Sequence, residues 1–360
     1  MEVSSILYTP EGIAAHVCLA CVSGSRAYGL DTPESDYDEK GVYMAPAEDV
    51  LTGRALKVVQ DERHDVQYTE IGEFCRLLEQ NNCAALELWA CMGEPQERMC
   101  AAWFRDFLRG RRVLSKLCFH TFTGSAEKQM KRMNATREKA LMPEPPAAAG
   151  LAEYAQALCA GEAVPLLAWL ARQQMTQHDV VARPVAGDVW ALYAQHSVCG
   201  LFGRDGTCVA VAGREPEQGA AFLAYMVVDT AGWRAHCRRV AQYREWEASR
   251  NATRLNTDAS LPPGEGTYDT KHMSHVIRLL RMAREIATEG RMHVRRTYDN
   301  AFLREVRAGR YAYSAMVELV EREVAELRVL FERSGLPDKP QMGDWMQELA
   351  LIRLNSYESR

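Results

Sequence analysis

Residues 24–38 read Gly-Ser-Arg-Ala-Tyr-Gly-Leu-Asp-Thr-Pro-Glu-Ser-Asp-Tyr-Asp, so a Gly-Ser turn is followed ten residues later by Asp36-x-Asp38. Residues of these types at this spacing can handle a polyphosphate. Gly24 lets the backbone approach a phosphate with no side chain in the way. Ser25 and the amides after it can donate to phosphate oxygens, and Arg26 can neutralise a departing pyrophosphate. Asp36 and Asp38 point the same way if the chain there is a strand. Two carboxylates on one face repel unless a cation sits between them, and Mg²⁺ suits such a place because it keeps waters and substrate phosphates in its shell. The simpler reading is a polar loop in which Asp31, Ser35 and Asp36 cap turns.

Strands must present these groups. Val17-Cys-Leu-Ala-Cys-Val22 reads as a buried strand before the turn, and Asp36 through Gly41-Val-Tyr-Met-Ala-Pro46 as the next one. Two-metal phosphoryl and nucleotidyl transfer calls for a third carboxylate, supplied by a neighbouring strand. Asp65 is the best candidate. It opens the strand-like run Asp65-Val-Gln-Tyr-Thr69, where Asp65, Gln67 and Thr69 share one face and Val66 and Tyr68 the other. Asp61 competes for the role. A carboxylate in that position can also accept the proton of an attacking hydroxyl.

The remainder of the chain sets bounds. Its 360 residues suggest two or three domains, and 47% hydrophobic with 25% charged residues is ordinary for a soluble globular protein. No stretch is apolar enough to span a bilayer, and the first residues lack the pattern of a signal peptide, so a cytoplasmic location and no membrane partner are expected. The 11 cysteines read as free thiols, and Cys18-x-x-Cys21 has no second pair to complete a zinc site. The net charge of −5 is unevenly spread. Residues 1–100 hold 18 acidic against 7 basic side chains, whereas the rest is net basic, which puts a metal site in the first part and a polyanionic partner against the second.

Residues 1–92 alternate short strands and helices, with helices at about 70–79 and from Cys83. From about 101 the periodicity is helical. Pro143-Glu-Pro-Pro146 marks a linker, 151–175 reads as a helical segment, and Val189–Tyr193 with Cys208–Val211, flanking a Gly203–Gly206 turn, reads as a small inserted β-hairpin near 185–213. The expected organisation is a catalytic domain over 1–100 and a mainly helical domain over 101–360.

The pattern Gly24-Ser25…Asp36-x-Asp38…Asp65 resembles the DNA polymerase β-type nucleotidyltransferase superfamily. More narrowly, the chain resembles the nucleotidyltransferases associated with RNA ligases in RNA repair. That match rests on Gly24–Gly29, Thr32-Pro-x-Ser-Asp-x-Asp38, Gly41-Val42, Leu86-Glu-Leu88, Trp246–Arg254, Tyr268–His275 and Val276–Leu280. The resemblance implies an α+β fold, a polymerase-β-like mixed-sheet domain followed by a mainly helical one. It implies transfer of a nucleoside monophosphate from an NTP substrate with Mg²⁺ or Mn²⁺, and association with RNA repair.

A second constellation lies on the helix expected over 271–289. Val276, Leu280, Ala283 and Ala287 form its apolar stripe, while Lys271, His275 and Arg278 share another face and can close the cleft by contacting a triphosphate or the acceptor's phosphates. The bland alternative is a solvated face. Arg250, Asn251 and Arg254 can complete the same wall. The cluster Arg105–Arg112, interleaved with Trp103, Phe104 and Phe107, reads first as a helix with a core face and an arginine-rich exposed side, and second as a nucleic-acid surface. Three readings follow: nucleotidyl transfer to RNA, the same chemistry on a protein or small molecule, and a catalytically silent nucleotide-binding module. The NTP, the acceptor and the oligomeric state are open.

Overall fold

The computed structural model describes residues 8–142, 146–159, 161–203, 210–249, 255 and 260–358. The site-bearing sheet has five strands: β1 (Val17–Val22), β2 (Glu39–Tyr43), β3 (Val58–Gln60), β4 (Val66–Glu70) and β5 (Glu97–Cys100). Their spatial order is β3-β4-β2-β1-β5. β2 and β4 run parallel, and every other neighbouring pair is antiparallel. The register pairs Glu39 with Val66 and Tyr43 with Glu70. Parallel pairing therefore brings the residues just before each strand, Asp38 and Asp65, to the same end of the sheet.

Helices cover one face. α1 (Gly24–Tyr28) follows β1, and α2 (Ala47–Leu51) follows β2. α3 (Ile71–Glu79) leaves β4 directly, capped by the Glu70 carboxylate, which accepts from the Gly72 amide at 2.7 Å. Ile71, Phe74, Cys75 and Leu78 form its buried stripe, at the helical spacing expected. α4 (Cys83–Ala90) starts after Asn82, whose side chain accepts from the amides of Ala84 and Ala85. α5 (Ala102–Leu108) and α6 (Leu117–Ala140) complete the first stretch.

Residues 142–251 form a compact unit with its own core. The structure departs here from the expected helix and inserted hairpin. Ala155–Cys159 and Glu162–Pro165 are strands, β6 and β7, and among the described residues of that segment only α7 (Leu166–Arg172) is α-helical. β8 (Val180–Ala186) and β9 (Val189–Ala194) form the hairpin, and β10 (Phe222–Val228) joins them in a five-stranded sheet ordered β7-β6-β10-β9-β8. An alanine-rich run expected to be helical is a strand here, because pairing with β10 and burial of Ala155 and Ala157 outweigh propensity. Residues 204–209, within the expected turn and second hairpin strand, lie outside the described residues, as do 143–145 of the expected linker. α8 (Thr230–Ser249) ends the unit.

The rest of the chain returns to the first sheet. α9 (Thr270–Glu289), α10 (Asn300–Arg307), α11 (Tyr313–Arg333) and α12 (Trp345–Glu358) follow in order. α9 is capped by Asp269 and stops at Gly290. It packs on α6, α10 and α11. Met273, Val276, Ile277, Leu280 and Ile286 share one core with Leu19, Val42, Phe74, Leu86 and Phe104. The division of the chain is therefore 1–141 with 252–360 as one compact unit and 142–251 as the other, instead of a boundary at residue 100. Apolar periodicity makes a helix amphipathic without saying which core it will join. Among the described residues no helix is long and apolar enough to cross a membrane, and the described cysteines are all free thiols.

Candidate active site

The turn from β1 into α1 is tied to the Asp38 segment. The Ser23 amide donates to the Asp38 carbonyl at 2.8 Å. Gly24 has φ +64°, and a Cβ there would lie 1.9 Å from Asp38 Oδ2. Glycine is thus required twice, for its backbone angle and because the Asp38 carboxylate occupies the space a side chain would fill. Ser25 is half-buried in the first turn of α1.

Asp36 and Asp38 precede β2 instead of lying within it. Their stretch bonds to the α1 side: Arg26 donates from Nη2 to the Ser35 carbonyl at 2.8 Å and from Nε to the Asp36 carbonyl at 3.2 Å. Arg26 therefore shapes the loop that carries the aspartates. Across the parallel pair, the Glu39 amide donates to the Asp65 carbonyl at 2.7 Å, which sets Asp65 beside Asp38. Asp61 has another task, since its carboxylate accepts from the Val66 amide at 3.0 Å and closes the turn before β4.

These placements leave an electrostatic signature. Burial, then the charges of Asp65 and Asp36, raise the Asp38 pKa, while Lys40 and Lys271 oppose the rise. The donors are all oxygens and their repulsion would be relieved by a cation, so the residues fit Mg²⁺ or Mn²⁺. Among the described residues no group of three or more His, Cys, Asp or Glu side chains is placed to hold a metal ion by itself. Mg²⁺ in phosphoryl-transfer sites takes one or two protein carboxylates and completes its shell with water and phosphate.

The α9 face differs from the sequence expectation. Lys271 is exposed and near enough to influence Asp38. Arg278 is buried, its Nη1 2.7 Å from Glu87 Oε1 and its guanidinium 3.7 Å over the Tyr28 ring. The Tyr28 hydroxyl donates to the other Glu87 oxygen. Glu87 and Arg278 hold each other charged against the penalty of burial, with the Glu87 pKa lowered and the Arg278 pKa raised. His275 lies 3.1 Å from Arg278 Nη2, and burial followed by the charge of Arg278 lowers its pKa to about 4. It is a neutral hydrogen-bond partner at physiological pH. Three cations lining a cleft thus become one exposed lysine and a buried Arg278–Glu87–His275–Tyr28 cluster, because α9 is packed on several sides.

Lys40 and Glu87 are the site neighbours that sequence reasoning missed. Lys40 stands two residues after Asp38, so strand alternation alone could have put it on the same face. A small recess beside the turn is lined by Ser23, Tyr28, Lys40 and Glu87. A larger recess, lined by Lys57, Glu70, Trp345 and Arg353, lies at the far end of β4 and is separate from this chemistry.

A clamp from α10 was also missed. Asn300 Nδ2 and Arg304 Nη2 each donate to the Gly29 carbonyl at 2.7 Å, and Arg307 Nη1 donates to the Leu30 carbonyl at 2.8 Å. These side chains fix the far end of the loop that starts at Gly24, and no local motif in the sequence announces so distant a contact. The basic cluster near α5 follows the first of its two readings: Phe104 and Phe107 are buried, and Arg105 and Arg111 pair with Glu97 and Glu348. Arg250, Asn251 and Arg254 lie outside the described residues.

A mixed sheet that sets a Gly-Ser helix start, Asp38 and Asp65 at one end is compatible with a polymerase-β-type nucleotidyltransferase. Residues 9–143 match the model of the RNA repair pathway DNA polymerase beta family, RlaP, and over that stretch the chain is similar to this family. No curated protein and no solved structure matches the chain.

Proposed function

We propose that the protein transfers a nucleoside monophosphate from an NTP to a hydroxyl group of RNA, with Mg²⁺ or Mn²⁺ held by Asp36, Asp38 and Asp65. The observation that carries this reading is the side-by-side placement of Asp38 and Asp65 across β2 and β4, with the Gly24 backbone against the Asp38 carboxylate. The triphosphate lies along Gly24-Ser25, where the amides at the start of α1 can donate to phosphate oxygens. Lys271 and Lys40 offset phosphate charge. The bound ion would supply Lewis-acid stabilisation and a lowered pKa for the attacking hydroxyl. Asp65 accepts the hydroxyl proton. The acceptor oxygen bonds to the α-phosphorus as the bond from that phosphorus to the α,β-bridging oxygen breaks, and pyrophosphate leaves.

The test incubates the protein with each α-labelled NTP, Mg²⁺ or Mn²⁺, and total RNA or lysate protein. Label is expected in RNA. Asp36→Asn and Asp38→Asn should reduce incorporation to background with an unchanged circular dichroism spectrum. Full incorporation by either variant would refute the assignment, and label found in protein alone would replace RNA as the acceptor.

A further inference from the structure

The loop between α9 and α10, residues 291–299, holds one shape at considerable cost. Arg296 is buried. It donates to Asp299 from Nε at 3.0 Å and from Nη2 at 2.9 Å, and to the His293 carbonyl at 3.0 Å. Its Nη2 is also 2.7 Å from Glu285, and its backbone amide donates to the Tyr28 carbonyl at 3.0 Å. Breaking such a buried cluster leaves uncompensated charge, so alternative loop shapes are strongly disfavoured.

On this fixed loop Tyr298 is 82% exposed. Its described ring contact is the edge of His293, with centroids 6.1 Å apart. A ring so exposed contributes little to folding, since the hydrophobic gain requires burial. Arg295 is exposed and makes no ion pair among the described residues. Its side chain passes the catalytic loop, where a Cβ on Gly29 would lie 4.0 Å from Arg295 Cγ. Gly29 closes α1, the helix that starts against Asp38. At 1.5 Å per residue, Gly24 and Gly29 are separated by about 8 Å along that helix. Arg291 pairs with Glu289, Arg296 with Glu285 and Asp299, and Arg310 with Glu305, so it is the exposed Arg295, three residues before Tyr298, that offers charge to a polyanion.

We propose that Tyr298 and Arg295 form the surface that holds the acceptor as single-stranded RNA, with a base stacked on Tyr298 and a neighbouring phosphate on Arg295. The inference rests on the nucleotidyl-transfer reading and deepens it by naming the form of the acceptor. An isolated exposed ring among cations matches the alternation of bases and phosphates in a single strand. A protein acceptor would call for a broader apolar patch, and a duplex keeps its base faces stacked inside.

The experiment measures binding of a fluorescein-labelled single-stranded RNA dodecamer, and of the same sequence as a duplex, by anisotropy at several salt concentrations. Wild type should prefer the single strand. Tyr298→Ala should weaken single-strand binding about 5- to 150-fold, the range for loss of one stacked base, and Tyr298→Phe should restore it. Arg295→Ala should reduce the magnitude of the slope of log K against log salt by about 0.7. Melting temperatures should be unchanged, because both side chains are exposed. Wild-type affinity in both alanine variants, or equal affinity for the duplex, overturns the proposal. NTP binding is measured in parallel on wild type. Protein that binds NTP but no RNA also overturns this surface and leaves the nucleotide site standing. Tyr298-dependent RNA binding without label transfer supports the surface and refutes the transfer reading instead.

Discussion

His275 stands where a charge is disfavoured. Arg278 and His272 on its own helix, and Lys40 on β2, all oppose protonation, and Glu87 on α4 favours it without prevailing against burial. With a folded pKa of about 4 and an ordinary value of 6.5, the unfolded chain takes up this proton first as pH falls. The associated stability is complete above about pH 6.5 and is lost as pH falls toward 4. The loss is about 3 kcal/mol, from 1.36 kcal/mol per pKa unit. His275→Gln retains an acceptor for Arg278 and removes the titration. Urea midpoints between pH 7 and 4 should therefore fall less steeply in the variant than in wild type, and parallel curves would show that His275 does not carry this dependence. Asp38 is shifted in the opposite sense for stability. Its raised pKa makes the charged form unfavourable at neutral pH in the absence of a cation.

At the scale of elements, the site is made by two contacts between segments far apart in sequence. The β2–β4 pairing places Asp65 beside Asp38. The α10 side chains hold the carbonyls of Gly29 and Leu30. The second contact comes from beyond the family-matched residues 9–143, so the candidate-site loop is held by a helix outside that stretch. Arg304→Ala and Asn300→Ala each free part of this loop. In the label-transfer assay kcat should fall by up to about a hundredfold, as small misplacements of catalytic groups do, with a smaller change in KM for NTP. Arg304→Lys should recover only part of the loss, because an ammonium lacks the guanidinium fork. An unchanged kcat in both alanine variants would show that the clamp is dispensable.

At the scale of the molecule, each compact unit has a core of its own. Joining residue 141 to residue 252 through a short Gly-Ser linker should leave the first unit with one cooperative melting transition and with NTP binding. Residues 142–251 should fold when produced alone. Residues 1–143 alone should fail to give a folded monomer. That fragment lacks Met273, Val276, Ile277, Leu280, Met282 and Ile286 of α9, all fully buried. At roughly 1.5–3 kcal/mol each, their loss is comparable to the whole stability of a domain, about 5–15 kcal/mol. Circular dichroism melts and gel filtration decide the matter, and a cooperatively folded 1–143 monomer would contradict this account of the core.

The sequence by itself determined the local features. Gly24-Ser25 and the three aspartates stand out as candidates by type and spacing, and the strand bearing Cys18 and Cys21 and the stripes of α3 and α9 were legible because burial imposes a period. Strand alternation favours Asp65 over Asp61 as the third carboxylate, and the Val66 amide donates to the Asp61 carboxylate, which gives Asp61 a structural task in the turn. The tertiary structure decided what period and motif leave open. It made Arg278 a buried partner of Glu87 instead of a cleft cation, because α9 is surrounded. It made strands of Ala155–Cys159 and Glu162–Pro165, because β10 was available to pair with β6. It also returned the C-terminal helices to the first sheet. An amphipathic face records that a residue will be buried, and only the assembled chain decides against what.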